Sequence, residues 1–501
     1  MSARNSQRKL TKTGRRPEPD VARDEGSFRD PSGFVYRREG VLYRQINESY
    51  APHWDRLASA GFLDELVQAG LLIPHELVDV GLAAAPSPHA VIRPTEIDLV
   101  TYPYEWTFGE LKDAALLTLD IARRALAAGF TLKDASAYNI QFWNGRPILI
   151  DTLSFEEAVP GQPWVAYRQY CEHFLAPLAL MALRDVRLGL LQRDFLDGVP
   201  LDLAAHLLPA SGRLNFGLLS HLVLHARAQK RYAGPATSEP RPRPRMSPLR
   251  MAALIDNLRS TTMHLKWEPR DTVWESYAEN NTYAEEAAAD KDRLVRLALQ
   301  SSAGTVVWDL GANTGRFSQI AVGLGRKVVA LDVDHGASER HYRNIKATGE
   351  SSVLPLVIDV ANPSPGLGWR SHERKSLLDR ANADVVLALA LVHHLAIGRN
   401  VPLGSISELF AKLAPEAIVE FVPKEDSMVR RLLASRPDVF PDYTLAGFRS
   451  AFGGSFEILS EHQIQGSLRT ILHLRRRTGP TNGLAAGASY RQEGEDGSRR
   501  P

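Results

Sequence analysis

Val306-Val-Trp-Asp-Leu-Gly-Ala-Asn-Thr-Gly-Arg-Phe-Ser318 is the stretch on which the reading of this chain turns. An apolar strand runs into a turn bearing Gly311 and Gly315, and the turn runs into a helix. Glycine reaches backbone dihedrals closed to other residues and lets the chain approach a ligand closely, and a helix start aims unpaired N–H groups at whatever is bound. The next unit, Lys327-Val-Val-Ala-Leu-Asp-Val-Asp334, is a second apolar strand. It brings Asp332 to about 20 residues past the turn, where an acceptor for ribose hydroxyls belongs. Strand, turn, helix and acid together predict a nucleotide-cofactor cradle on a Rossmann-like α/β sheet.

The turn is not that of a dinucleotide fold, which spaces its glycines G-x-G-x-x-G. Here Asp309 precedes the turn and no middle glycine hugs a diphosphate. A carboxylate at that place suits a cofactor with a cationic sulfonium and an amino-acid head, S-adenosylmethionine, and would repel a pyrophosphate. In these residues the chain resembles the class I S-adenosylmethionine-dependent methyltransferases. The resemblance implies that Asp309, Gly311, Asn313 and Gly315 meet the methionine portion and that Asp332 takes the ribose hydroxyls. It puts Asp359 and Val360, in Leu354-Pro-Leu-Val-Ile-Asp-Val360, beside the adenine.

The strands continue in the same order. Ala383-Asp-Val-Val-Leu-Ala-Leu-Ala-Leu391 is the near-continuous apolar run of a central parallel strand, and it leads into Val392-His-His-Leu395. Ligands in open parallel sheets sit outside the carboxyl ends of the strands, so this His pair is predicted at the cleft. Ala417-Ile-Val-Glu-Phe-Val422 reads as a fifth strand, and Phe456–His462 with Leu468–Leu474 as a terminal hairpin. His393 or His394 is the candidate proton acceptor, because imidazole titrates near neutrality. Neighbours on a strand end point oppositely, so one of the two is predicted to face the cleft. Glu420 is a further substrate-binding or base candidate. Tyr277 and Tyr283, in a polar stretch ahead of the first strand, are candidate lid residues, while the tryptophans nearby are as readily packing residues.

With 501 residues the chain is long for one core and predicts two or three domains. Its 60 Lys and Arg against 58 Asp and Glu give no field that points to nucleic acid or an anionic membrane. The one cysteine, Cys171, lies in an apolar run and pairs with nothing in the chain, as in a reducing compartment. The basic start lacks the apolar core of a signal peptide and no apolar run is long enough to span a bilayer, so the expected location is cytoplasmic, without membrane insertion.

The expected layout is a disordered tail over residues 1–26, an α+β domain over 27–230, a Pro/Arg-rich linker over 231–248, the methyltransferase domain over 249–477 and a second disordered tail over 478–501. In the first domain, Leu132-Lys-Asp-Ala-Ser-Ala-Tyr-Asn139 is followed, across a short Asn-Gly hairpin, by Ile148-Leu-Ile-Asp151. That order resembles the catalytic and metal-binding loops of protein kinases and small-molecule phosphotransferases. It implies an acceptor-orienting role for Asp134 and magnesium and phosphate contacts for Asn139 and Asp151, with ATP and magnesium as ligands. The sequence departs from that pattern. Leu132 stands where those families have His, no clear glycine-rich loop precedes, and no obvious strand lysine follows, Arg44 being the nearest basic candidate. The domain therefore reads as a degenerate kinase-like one. No metal site is predicted elsewhere.

A kinase-like front half joined to a methyltransferase carrying Val392–Leu395 and Glu420-Phe-Val-Pro-Lys-Glu-Asp-Ser-Met428 is similar to bacterial nodulation-associated methyltransferase homologues. The resemblance implies methyl transfer from S-adenosylmethionine to an acceptor it leaves open, with the front domain recruiting or positioning that acceptor. The alternatives are a second, phosphotransferase activity at Asp134, Asn139 and Asp151, or a non-catalytic adaptor.

Overall fold

The computed structural model describes residues 21–232, 246–269, 285–434 and 436–477. The front domain opens with a five-stranded antiparallel sheet in the order β1-β2-β3-β5-β4, made of Val21–Arg23, Gly33–Arg38, Val41–Asn47, His75–Val78 and Pro88–Pro94 numbered along the chain. Val21, Ala22 and Arg23 pair with Arg38, Arg37 and Tyr36, so the start predicted as a tail already belongs to the sheet from Val21. Two short helices, α1 (Ala51–Ser59) and α2 (Phe62–Gln68), are inserted between β3 and β4. They bury Trp54, Leu57, Phe62, Leu63 and Leu66.

Helix α3 (Phe108–Ala127) is the axis of the domain. Thr107 accepts a hydrogen bond from the Glu110 N–H while the Glu110 carboxylate reaches back to the Thr107 N–H, a reciprocal cap that fixes where the helix starts. After it come β6 (Phe130–Leu132), the hairpin β7–β8 (Ile140–Trp143 and Arg146–Leu149) and β9 (Phe155–Glu157). Asn144 and Gly145 form the tip of that hairpin with φ of 50° and 71°, as an Asn-Gly turn requires.

Helix α4 (Pro248–His264) was assigned from sequence to the second domain, and the structure corrects this. It lies on α3. The Lys112 Nζ donates to the Met263 and Leu265 carbonyls at 2.9 and 2.8 Å, and Tyr170 and His221 bond Thr262 and Asn257 at 2.9 and 2.6 Å. A helix shows its apolar stripe in sequence but not the domain that covers it. Most of the expected linker, 233–245, and both lid candidates, Tyr277 and Tyr283, lie outside the described residues.

The second domain is a seven-stranded sheet in the order β12-β11-β10-β13-β14-β16-β15. Its strands are β10 (Val306–Leu310), β11 (Lys327–Asp332), β12 (Val353–Val357), β13 (Val385–Ala388), β14 (Glu416–Phe421), β15 (Phe456–Gln463) and β16 (Thr470–Arg476). The first five are parallel and β16 runs antiparallel to β14, the order expected of a class I methyltransferase sheet. Side chains alternate across it: Trp308, Val329 and Val386 enter the core on one face, while Val307, Val328 and Val385 enter the core on the other. The second face is covered by α5 (Glu285–Ser301) and α6 (Arg316–Val322).

The core on the Trp308 face is continuous with that of the front domain. The two halves meet along α7 (His335–Thr348), which lies on the start of α3. Tyr342 sits edge-on to Phe142 and donates to Asp113 at 2.7 Å, and Glu339 accepts from the Gly109 N–H at 2.7 Å. Arg380 pairs with Glu105 at 2.5 Å, the two side chains only 4% and 1% exposed. Residues 361–376, which follow β12, form a strap clasped by the front domain. Glu373 takes both nitrogens of a fork from Arg29 at 2.7 and 2.8 Å, and the Arg374 guanidinium lies 4.3 Å over the Tyr138 ring. No described helix is long and apolar enough to cross a membrane.

Candidate active site

The sheet order sets β10 between β11 and β13, so the carboxyl ends of these strands, where ligands of open parallel sheets sit, lie side by side with the turn after β10 among them. Gly311, Asn313 and Gly315 hold φ of 74°, 50° and 88°, all in the left-handed region. The two glycines are constrained differently. Among the described residues a Cβ on Gly311 would meet only Leu391, at 3.5 Å, whereas a Cβ on Gly315 would fall 2.1 Å from Nε2 of His341 on α7. Gly315 is thus required by helix packing and by φ, where the sequence suggested approach to a ligand.

Asp309 is buried and accepts from the Ser318 hydroxyl at 2.7 Å. Burial pushes its carboxyl up to about 6, with Asp332 nearby adding to the effect. Asp332 accepts from the Asn313 N–H at 2.7 Å and the Asp334 N–H at 2.8 Å, so the acid that ends β11 also ties down the turn. Burial likewise raises Asp332 to about 6. Asp359, after β12, caps its own turn through the Ala361 N–H at 2.9 Å and pairs with Arg399 at 3.1 Å, while Val360 packs on the core beneath.

The histidine pair departs from its expected geometry. β13 ends at Ala388, Ala390 takes φ of 52°, and the chain turns helical through Val392 and His393 into a π-helical turn, His394–Gly398. The two rings are therefore neighbours, with centroids 4.1 Å apart, and do not point oppositely as they would on a strand. His393 is fully buried, and neither ring nitrogen has a hydrogen-bond partner among the described residues. Burial, then His394, Arg469 and Lys291, hold its pKa well below the ordinary value; burial and Arg469 lower His394 to about 4.

Glu420 is also buried, at the end of β14, and is no open carboxylate. Its Oε2 lies 2.6 Å from Lys291 Nζ and its Oε1 3.4 Å from Arg469 Nη1. Arg469 in turn grips Asp426 with Nε at 2.7 Å and Nη2 at 3.1 Å. Lys291, Arg469 and Asp426 were not singled out from sequence. Lys291 had a signal: on α5 it shares an apolar stripe with Ala287, Leu294, Val295 and Ala298 at helical spacing. Arg469 and Asp426 had none, since only folding brings them to Glu420.

In the front domain the three residues picked out by order do come together. Asp134 accepts from Gln169 at 2.7 Å and bonds Asn139. Asn139 donates to the Ser154 hydroxyl at 3.4 Å, and Ser154 donates to Asp151. Arg44 on β3, noted as the nearest basic candidate, pairs with Asp151 at 2.5 Å. Burial raises Asp134, with the Asp151 charge adding to it; burial also pushes Asp151 up, but Arg44 and Ser154 outweigh this and hold it below its usual value.

No protein-family profile matches the chain. Nodulation protein NoeA of Rhizobium meliloti (strain 1021) is 37% identical over 487 residues, which span 95% of this chain and 99% of that protein. Among solved structures, magnesium protoporphyrin IX methyltransferase (ChlM) from Synechocystis PCC 6803 with bound SAH is 17% identical, at a TM-score of 0.30 over 41% of this chain and 92% of its own. N-methyltransferase NodS from Bradyrhizobium japonicum WM9 is 12% identical, at a TM-score of 0.30 over 39% of this chain and 98% of its own. With a relative so similar along nearly its whole length, the chain belongs to the family of nodulation protein NoeA.

Proposed function

We propose that this chain is an S-adenosylmethionine-dependent methyltransferase acting in the nodulation chemistry for which its relative is named, its front domain recruiting or positioning the acceptor. The observation that carries this reading is the convergence, at the carboxyl ends of β10, β11, β12 and β13, of the Gly311 turn, Asp309, Asp332, Asp359 and the His393–His394 pair. These residues fit the cofactor: left-handed turn positions, carboxylates at two successive strand ends, and a buried imidazole whose nitrogens have no partner among the described residues.

When bound, the cofactor supplies an electrophilic methyl on a sulfonium. Asp332 accepts the ribose hydroxyls with lone pairs left over from its two backbone bonds, and Asp309 places negative charge below the turn. His393 or His394, kept neutral by its surroundings, takes the proton that a hydroxyl or amine acceptor must lose. The residues at these strand ends would orient the acceptor toward the methyl group and keep water away. Calorimetric titration of S-adenosylmethionine and its demethylated product into the full chain tests this. Binding by the wild type and its loss on Asp332→Ala, with the fold intact, supports the reading; no binding by folded wild type removes it.

A second reading, phosphoryl transfer in the front domain, is favoured by Asp134, Asn139 and Asp151 coming together with Arg44 of β3 at one place. Asn139 and Asp151 are the residues that would hold magnesium. No described group of three or more His, Cys, Asp or Glu side chains could hold a metal ion, so phosphate oxygens of the ligand would have to complete the shell. A parallel titration of ATP with and without magnesium separates the readings, and no heat in either arm retires this one.

A further inference from the structure

The group formed by Asp134, Asn139 and Asp151 is bordered by two walls of the front domain. One is the loop between β1 and β2, residues 24–32, with the start of β2. The Ser32 hydroxyl lies 3.4 Å from Nζ of Lys133, the neighbour of Asp134. Gly33 approaches Leu153 so closely that a Cβ would fall 2.7 Å from the leucine Cδ1, and Leu153 donates its N–H to Asp151 at 3.1 Å. The other wall is Tyr138, beside Asn139 in the chain, which donates to the Gln192 carbonyl at 3.1 Å.

The strap grips both walls with consecutive residues. Glu373 takes the fork from Arg29 of the loop, and Arg374 covers the Tyr138 ring. On either side, His372 and Lys375 reach Glu25 and Asp24 at 3.2 and 3.6 Å. Otherwise the strap is folded on itself, Leu367 and Arg374 exchanging both backbone hydrogen bonds at 2.9 and 3.0 Å. Among the described residues no backbone-to-backbone hydrogen bond ties it to the front domain, so side chains make the hold. Of these, Arg29, Glu25 and His372 are 61%, 59% and 61% exposed. Ion pairs that water reaches contribute little each and open at small cost. The Arg380–Glu105 pair, nearly inaccessible, is the fixed joint between the halves; the clasp at 372–375 is the releasable one.

We propose that the strap is a latch on the front domain: by tying the β1–β2 loop to Tyr138 it holds the walls of the Asp134, Asn139 and Asp151 group together, and a nucleoside triphosphate with magnesium binds there when the clasp opens. This rests on the second reading given above, in which these residues meet magnesium and phosphates. A ligand whose site is open only part of the time binds more weakly by that fraction. The latch therefore sets the affinity of the front site.

Two readouts on the full chain test this. One is hydrogen exchange of residues 361–376, followed by mass spectrometry without ligand; the other is the calorimetric affinity for ATP with magnesium. Arg29→Ala removes a side chain that lies mostly in water and keeps the fold, while Glu373→Ala/Arg374→Ala frees both walls. Exchange in the strap speeds up in both variants. ATP with magnesium binds roughly tenfold tighter in the double variant than in wild type, with a smaller gain in Arg29→Ala. Arg29→Lys, which keeps the charge, returns both readouts toward wild type. Faster strap exchange with wild-type affinity overturns the latch and leaves the phosphate reading standing. Unchanged strap exchange in both variants also overturns it, because other contacts then hold the strap. No binding of ATP by wild type or by either folded variant removes the phosphate reading, and this proposal with it.

Discussion

Asp309 and Asp332 are carboxyls raised to about 6, and this gives the cofactor site a pH signature. Their folded pKa lies above the unfolded value of about 4, so their contribution to stability is complete below that value and is lost as pH rises through about 6. Ionising them costs the unliganded protein, and a bound sulfonium offsets that cost. The rise in melting temperature given by S-adenosylmethionine should therefore be larger at pH 7.5 than at pH 5. The neutral demethylated product should show a weaker trend. Equal increments for the two ligands at both pH values would deny Asp309 its part. Asp309, Asp332 and Asp359 were legible because strand ends and turn spacing are local properties of sequence. Glu420 was legible as a position but not as a role, because what defines it is Arg469 and Lys291, 49 and 129 residues away.

Between elements, the tightest constraint near the cleft is the turn after β10 against α7. Gly315→Ala adds a Cβ that both opposes a φ of 88° and collides with the His341 ring. The left-handed strain and the overpacking together should destabilise the fold by about 2–5 kcal/mol. A second change, His341→Ala, makes room and should recover the packing share only. Urea unfolding of the three proteins measures this, and full recovery in the double variant would mean that backbone strain at Gly315 is negligible. The strands of this domain were readable in order and mostly to within two or three residues at their ends, because buried parallel strands are continuous apolar runs. The same property misled at β13. Its apolar run continues to Leu391 while the strand stops at Ala388, and hydrophobicity alone does not show that Ala390 leaves the extended region.

Over the whole molecule, the joint between halves was the least legible part. Arg380–Glu105, Tyr342–Asp113 and Glu373–Arg29 link residues hundreds of positions apart, and no local periodicity marks them. α4 was assigned to the wrong half for that reason. The Arg380–Glu105 pair is nearly inaccessible, so Arg380→Met leaves a buried carboxylate without its counter-charge, held only by the Tyr102 N–H among the described residues, and should destabilise by about 3–5 kcal/mol. Adding Glu105→Gln should return much of that loss. Chemical denaturation of the single and double variants decides it, and a single variant as stable as wild type would show that the joint is held by other contacts. The strap carries a consequence for biosynthesis. Chains emerge from the amino end and front domains fold first, so Arg29, Tyr138 and Glu105 are in place before residues 361–380 are made. The loop that follows Asp359 is then laid onto a surface already formed, and a fragment translated without the front half would lack the mould on which that loop is set.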